Sequence, residues 1–221
     1  GDGERWYRYA MDRSEKPVNR RDRSLDAAEE MFRERGLHGV SLLDVADAVG
    51  MRKPSLYHHF PEGKEELFIA VQNRMFQRIG SALRTVIADA VSDRTRGSDA
   101  EATFLERGLT VAADWFIGRP PLFLLSMMHY DMPDLPEASR KELIRGSYGV
   151  LMEPIVELVR ESQRRGETRA IEPHAVAGNF LSILEGTIIA SRSGFGGPPT
   201  AMMRESISMM IDGVRLRSDP T

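Results

Sequence analysis

The chain has 221 residues, 41% of them hydrophobic, and its 30 Lys and Arg against 33 Asp and Glu give a formal net charge of -3. A chain of this length can bury a core that needs neither a metal nor a disulfide, and the absence of cysteine excludes disulfide and thiolate chemistry. No apolar run approaches the roughly 20 residues that span a bilayer, and the N-terminal stretch has no apolar signal segment. We therefore expect a soluble, cytoplasmic protein without membrane contact.

The N-terminal stretch differs in pattern from the chain that follows it. Residues 1–16 have no periodic apolar face, and we expect a disordered tail there. After this tail, helical spacing predicts a first helix that stops at Gly36, since glycine is common just past helix ends. The apolar positions of this helix are Leu25, Ala28 and Phe32.

Two short helices are predicted next. Ser41 and Asp44 form the pattern of a capping box, which predicts a helix over about 41–48. Proline is favoured at the first helical position, so Pro54 predicts a third helix over about 54–60.

The remainder of the chain is also predicted to be helical. Apolar residues recur every three or four positions from Lys64 to Ala90, which predicts a helix of about 28 residues and about 42 Å. Pro154 should kink or divide a later helix. Because no stretch alternates with a period of two, we predict an all-α protein. The later helices are expected at about 100–117, 120–130, 137–165, 173–193 and 199–216.

The stretch GMRKPSLYHHF, residues 50–60, contains two adjacent histidines. Neighbouring side chains on a helix diverge by about 100°, so His58 and His59 do not converge on one metal ion. The chain also has no G-x-S-x-G, H-E-x-x-H or G-x-x-x-x-G-K motif. We expect no metal, no cofactor and no enzymatic activity.

The same stretch fits a helix-turn-helix. Such a motif needs a small residue at the helix crossing, a glycine in the turn and inward apolar residues. Ala46 and Gly50 supply the first two, and the inward residues are Val45, Val49 and Leu56. A cationic, polar and aromatic outer face remains, formed by Arg52, Lys53, Ser55, Tyr57, His58 and His59. From the residues alone, a surface helix with solvated charges is the alternative.

Chemistry suggests different roles for these outer side chains. Arg52 and Lys53 can reach phosphates, and Arg52 can also pair with a guanine edge. The hydroxyl of Tyr57 suits a phosphate oxygen. Lys64 combines a cation with the free N–H groups of a helix start, which favours a phosphate.

Four motifs occur together in AAEEMFRERGLHGVSLLDVADAVGMRKPSLYHHFPEGKEELFIAV, namely G-x-x-G-V-S, D-V-A-x-A-V-G, L-Y-x-H-F and K-E-E-L. With them, residues 20–70 resemble the N-terminal domain of the TetR family of transcriptional repressors. The link between the last two motifs is PEG, three residues instead of the family's usual two. This longer link resembles the LmrA/YxaF-like branch of the family.

The resemblance implies a homodimer with an N-terminal three-helix DNA-binding domain, 17–63, and a larger helical domain for effector binding and dimerisation, 64–216. Dimerisation is expected through the last two helices, about 173–193 and 199–216. Arg52 is added to the implied operator contacts on chemical grounds. The contacts implied by the family's motif are Ser41, Lys53, Ser55, Tyr57, His58, His59 and Lys64.

Candidates for a mostly apolar effector cavity with a few polar anchors lie in the larger domain. His129 and Tyr130 are the strongest candidates for polar contact, because both follow an apolar run at a loop edge. The alternative is that these side chains fill an ordinary helical core. The candidates are Trp115, Phe116, Phe123, Met127, Met128, His129, Tyr130, Phe180 and Glu185.

The leading hypothesis is a ligand-responsive transcriptional repressor that binds a palindromic operator as a homodimer and is released by a small, mostly apolar effector. The alternative is an all-α small-molecule carrier or enzyme with an incidental helix-turn-helix, which would bind or turn over a ligand without binding DNA.

Overall fold

The structure is a computed structural model that describes residues 19–92, 102–117, 132–194 and 197–215. Within these ranges the chain is all-α, as predicted, and its only β-type pairing is an isolated bridge between Thr168 and Arg215. The expected tail and the helix predicted over 120–130 lie outside the described residues. No helix in the described ranges is both long and apolar enough to cross a membrane.

Nine α-helices make up the described part of the chain. A 3₁₀ turn occupies Met132–Asp134, and a π-helical segment occupies Ile144–Tyr148. The α-helices are α1 (Arg20–Arg35), α2 (Leu42–Ala48), α3 (Lys53–His59), α4 (Lys64–Ser92), α5 (Phe104–Ile117), α6 (Glu137–Leu143), α7 (Gly149–Arg164), α8 (Pro173–Arg192) and α9 (Pro199–Val214).

The start of α3 differs by one residue from the prediction. The helix begins at Lys53 and its N-cap is Arg52, so Pro54 is the second helical residue rather than the first. A proline is tolerated throughout the first turn, because the N–H groups of that turn have no partner within the helix.

The helix predicted over 137–165 is interrupted at a different place from the one expected. The π-helical segment Ile144–Tyr148 interrupts it, whereas α7 continues through Pro154. Pro154 has no N–H to donate to the carbonyl of Val150. That carbonyl faces Gly80 of α4, where a Cβ would lie only 2.8 Å from the oxygen, so the absence of a side chain at Gly80 leaves room for it.

The chain divides into two compact units. The described part of the first unit is 19–79 and 132–149, and that of the second is 80–92, 102–117, 150–194 and 197–215. The division falls within α4, so its first half packs with α1 to α3. The domain boundary expected at residue 63 concerns DNA binding and stays a prediction.

In the first unit, α1 packs on α2 and α3, and the apolar positions predicted for α1 face this core. The rings of Phe32 and Phe68 meet edge to face, with centroids 5.1 Å apart. A buried carboxylate, Glu29, also lies between α1 and α4 and is paired with Arg74 and Arg78. The side chains that close this core are Leu25, Ala28, Val45, Leu56, Phe60 and Leu67.

In the second unit, α9 packs on α5 and α8. A Cβ at Gly108 of α5 would lie 2.5 Å from the methyl groups of Leu158, so this glycine allows α5 and α7 to approach closely. Trp115 and Phe116 of α5 and Phe180 of α8 are buried in the same unit.

Candidate nucleic-acid interface

The helix-turn-helix begins with the predicted capping box. The Ser41 hydroxyl accepts a hydrogen bond of 3.2 Å from the Asp44 N–H, and the Asp44 carboxylate accepts from the Ser41 N–H at 2.8 Å. The Ser41 hydroxyl also donates to this carboxylate at 2.8 Å. Two hydrogen bonds hold the pKa of Asp44 below its ordinary value. The larger effect comes from the Ser41 N–H and the smaller from the Ser41 hydroxyl. The box therefore fixes the start of α2 while Asp44 is ionised.

The turn between α2 and α3 depends on Gly50. Its φ of 66° lies in the left-handed region, which glycine adopts without the steric cost of a Cβ. The Met51 N–H donates to the Ala46 carbonyl at 2.8 Å and closes the turn. The turn glycine predicted from the sequence is thus confirmed.

The inward side chains follow the prediction with one exception. Val45, Ala46 and Leu56 are buried, but Val49 is only half-buried. Val49 is the C-cap of α2, where the chain already turns toward Gly50.

Four of the predicted outer side chains are exposed, and two are not fully so. Ser55 and His59 are half-buried, which corrects their assignment to the outer face. The ring centroid of His59 lies 6.5 Å from that of the buried Phe60. The exposed set, here called the recognition face, consists of Arg52, Lys53, Tyr57 and His58.

Within the recognition face, Lys53 and Tyr57 support each other's position. The Lys53 ammonium lies over the Tyr57 ring, 5.6 Å from its centroid, which is within cation–π range. The two residues are one helical turn apart, so both side chains project from the same side of α3. A cation and a phenol hydroxyl are therefore presented together to any partner of this face.

The two histidines are adjacent on α3, and their rings are inclined to each other. The ring centroids of His58 and His59 are 5.7 Å apart with the rings steeply inclined. In the described ranges, no group of three or more His, Asp or Glu side chains is placed to hold a metal ion.

The three-residue link PEG has a defined structure. Gly63 has a φ of 87°, again in the left-handed region, and its N–H donates to the Phe60 carbonyl at 3.0 Å. The Glu66 carboxylate accepts from the Glu62 N–H at 2.9 Å. These bonds fix the start of α4 at Lys64, which is half-buried. Ser41, the other predicted contact outside α3, is exposed at its N-cap position.

The effector residues proposed from the sequence are only partly described. Trp115, Phe116 and Phe180 are buried among the helices of the second unit, and Glu185 is half-buried. The other candidates, Phe123, Met127, Met128, His129 and Tyr130, lie outside the described residues. The effector site stays a prediction.

A groove in the second unit has a volume of about 490 Å³. None of the predicted effector residues lines it. Its lining consists of Gln163, Thr168, Ala170, Ile171 and Glu172.

Sequence reasoning did not single out the first turn of α1, which contacts the helix-turn-helix. Arg23 donates from Nη2 to the Val49 carbonyl at 2.8 Å, and the Arg21 guanidinium lies 5.1 Å from the ring centroid of Phe60. The run NRRDR, residues 19–23, was the available signal of a local positive charge. It was not recognised because the surrounding region is close to neutral in net charge.

Residues 25–71, which contain this motif, match the family model described as bacterial regulatory proteins, tetR family. This part of the chain is a TetR-family N-terminal domain. The three-helix arrangement, the capped α2, the glycine turn and the exposed face of α3 therefore belong to a TetR-family N-terminal domain.

Curated relatives match mainly this region. The activator FasR of Mycolicibacterium smegmatis is 36% identical over 87 residues, 39% of this chain and 39% of FasR. The regulator LmrA of Bacillus subtilis is 36% identical over 86 residues, 39% of this chain and 44% of LmrA. The repressor KstR2 of Mycobacterium tuberculosis is 48% identical over 58 residues, 26% of this chain and 28% of KstR2. These matches span less than half of each relative, and LmrA matches no more strongly than FasR, so the branch stays a prediction.

Solved structures extend the likeness to the fold of the larger domain. A TetR-family regulator from Mesorhizobium loti covers 91% of this chain and 100% of its own, with 17% identity and a TM-score of 0.65. A transcriptional regulator from Saccharomonospora viridis in complex with choline covers 89% of this chain and 98% of its own, with 19% identity and a TM-score of 0.57. At these identities the likeness concerns the fold alone.

Proposed function

We propose that this TetR-family protein is a transcriptional repressor that binds a palindromic operator as a homodimer and responds to a small ligand. The observation that carries the proposal is the recognition face, an exposed set of cationic and aromatic side chains on the second helix of a helix-turn-helix. Such a helix lies in the major groove, and the two copies in a dimer bind half-sites about 34 Å apart. A cytoplasmic location, where operator DNA lies, follows from this function.

Some side chains of the recognition face suit contacts with phosphates, and others suit contacts with bases. Arg52, the N-cap of α3, is exposed at the end of the helix that enters the groove, and its guanidinium suits a bidentate pair with guanine. Lys53 and Tyr57 suit phosphate oxygens beside the groove. Lys64 and Ser41 would add backbone contacts from the two neighbouring helix starts. His58 is exposed beside this set, whereas the half-buried Ser55 and His59 would need a deep fit to reach bases.

Dimerisation would use the outer faces of α8 and α9. Ile189 of α8 and Met209 of α9 are large apolar side chains that are 51% and 64% exposed. Met203, by contrast, is buried near Thr187 and belongs to the core of the protomer. Exposed apolar side chains on two packed helices are typical of a homodimer interface.

Ligand response would follow from a difference in effector affinity between two conformations. The regulator in complex with choline shows that a protein of similar fold holds a small molecule. A mostly apolar effector would suit the aromatic residues near α5, and its binding would tilt α4 and move the recognition helices off the operator spacing. FasR is named an activator and KstR2 a repressor, so the direction of regulation is part of the test.

The test is selection of a random duplex library with the purified protein, followed by footprinting of its own upstream region. The proposal expects an enriched palindrome and a protected copy of it upstream of the gene. A reporter driven from that region should fall when the protein is expressed. Absence of any enriched or protected sequence would overturn the proposal. Ligand binding or turnover without DNA binding would favour the all-α carrier or enzyme instead.

A further inference from the structure

The first turn of α1 carries three arginines whose charges are not neutralised. Arg20, Arg21 and Arg23 are exposed, and none of them forms an ion pair with any residue that the structure describes. Asp22 is the one carboxylate in the run 20–23, which leaves a net charge of +2 there. Exposed cations that are not paired with a carboxylate remain available to an external anion.

Contacts place these cations beside α3. The Arg23 guanidinium donates to Val49, in the turn that precedes α3, at 2.8 Å. The Arg21 guanidinium lies 5.1 Å from the ring of Phe60, the residue that ends α3. The first turn of α1 therefore contacts the turn before the proposed recognition helix and the residue that ends it.

The other arginines of α1 and α4 lie near carboxylates. Arg33, near the other end of α1, pairs with Glu30, and Arg35 is close enough to Asp44 to help lower its pKa. Arg74 and Arg78 of α4 bind Glu29. The unneutralised arginines of α1 are therefore concentrated at the end that contacts the helix-turn-helix.

The width of the major groove indicates what these arginines can contact on a DNA duplex. An α-helix with its side chains is about 10–12 Å wide and the major groove is about 12 Å wide, so a recognition helix fills the groove. Side chains packed beside that helix then face the phosphates of the groove wall. Guanidinium groups suit phosphate oxygens because they can bind them bidentately.

We propose that Arg20, Arg21 and Arg23, here called the α1 arginine patch, form a second DNA-binding surface that contacts the phosphate backbone beside the groove entered by α3. The inference rests on the proposed function and adds contacts outside the helix-turn-helix. Arg21 and Arg23 are held in place by Phe60 and Val49. Arg20 has no side-chain partner among the described residues. Its guanidinium is therefore available to bind a DNA phosphate.

The experiment measures affinity as a function of salt concentration. The probes are a 40-bp duplex selected from a random library by the wild-type protein and a scrambled duplex of the same composition. Arg20→Ala and Arg23→Ala are compared with Arg33→Ala, a matched control on the same helix. Arg20→Lys keeps the charge and shows whether charge is what matters.

Each lost phosphate contact should lower the slope of log affinity against log salt by about 0.9, or about five-fold in affinity at 0.15 M salt. Arg20→Ala and Arg23→Ala should show this loss on both duplexes, whereas Arg33→Ala and Arg20→Lys should keep the wild-type slope. Wild-type slopes in both alanine variants, or a loss confined to the selected duplex, would overturn the inference while the proposed function stands. A wild-type protein that binds no duplex of the random library would overturn the proposed function, and the inference with it.

Discussion

Arg74 of α4 donates a hydrogen bond of 3.0 Å to the carboxylate of Glu29 in α1, a residue that is only 5% exposed. Arg78, one helical turn further along α4, donates to both oxygens of the same carboxylate. Arg74 also pairs with Asp26 at 2.9 Å. The three helices α1 to α3 are here called the head. Its first helix, α1, is thus joined to the long helix α4 by a buried, charge-assisted cluster as well as by apolar packing.

Removing the buried carboxylate should destabilise the protein strongly. Glu29→Ala leaves two partly buried guanidinium groups without their acceptor, and breaking such a cluster costs about 3–5 kcal/mol. The remaining Asp26 pair with Arg74 places the expected loss in the free energy of unfolding near the lower end, about 3 kcal/mol. Urea denaturation measures it.

Glu30→Ala is the matched control for this change. Glu30 lies next to Glu29 in α1 but pairs with Arg33 at the surface, where an ion pair contributes about 0–1 kcal/mol. Equal losses in the free energy of unfolding for the two variants would show that the buried Glu29 cluster stabilises the protein no more than a surface ion pair does.

A side chain at position 80 should lower the stability of the folded protein. A Cβ there would lie 2.8 Å from the Val150 carbonyl oxygen and 2.9 Å from its Cγ1, so Gly80→Ala forces α4 and α7 apart. Overpacking of this kind costs about 1–3 kcal/mol, despite the better helix propensity of alanine. Thermal unfolding should show a lower Tm.

Gly213→Ala serves as the control for the propensity effect. A Cβ at Gly213 of α9 meets nothing within 4 Å, so the same substitution should raise stability by up to about 1 kcal/mol. A stabilised Gly80→Ala variant would show that the two helices separate at little cost.

Local signals in the sequence predicted the head well. The capping box, the turn glycine and the helical spacing from Lys64 each depend on residues within a few positions, and each is found as expected. The helix start predicted from Pro54 was wrong by one residue, because proline suits more than one position of a first turn.

Contacts between distant parts of the chain were not predictable in the same way. Glu29 meets residues 45 and 49 positions away, and His38 meets Asp134 across 96 positions at 2.7 Å. Helical periodicity states which face is buried but not which partner covers it. The room that Gly80 leaves for the Val150 carbonyl likewise depends on which helices pack together.

The capping box should make stability depend on acid pH. Hydrogen bonds from Ser41 favour the ionised form of Asp44, so its pKa is lower in the folded protein than in the unfolded chain. The stabilisation is fully present above about pH 4 and is lost as pH falls through the lowered pKa. The stability difference between the wild type and Asp44→Asn should therefore shrink as the pH falls from about 5 to about 3.

Urea midpoints across this pH range measure the effect. Asp47→Asn, an equivalent change on the same helix outside the capping box, gives the baseline for an acid-to-amide substitution. A constant difference between wild type and Asp44→Asn down to pH 3 would contradict the prediction.

The recognition face should separate into base and phosphate contacts. Arg52→Ala should cost about 1–3 kcal/mol on the selected duplex and relax the preference at one base position. Tyr57→Phe and Lys64→Ala should weaken selected and scrambled duplexes about equally, and Lys64→Ala should also lower the salt slope by about one. Fluorescence anisotropy on a panel of single-base variants measures all three. A uniform loss for Arg52→Ala would assign it to the phosphate contacts.

An acidic residue on the outer face of α9 should break the proposed dimer. Met209 is 64% exposed in the protomer, and a two-fold interface would bury each substitution twice. Burying an unpaired charge costs about 3 kcal/mol or more, so Met209→Asp should weaken dimerisation by at least about two orders of magnitude in Kd. Sedimentation velocity over a concentration series measures the shift.

The matched control for this change lies in the head. Leu43 of α2 is 50% exposed, so Leu43→Asp makes an equivalent apolar-to-acid change away from α8 and α9. It should keep the wild-type dimer, and Ile189→Asp on α8 should repeat the effect of Met209→Asp. If both α8 and α9 variants remain dimeric while Leu43→Asp dissociates, the interface lies in the head, and the half-site spacing must be set there instead.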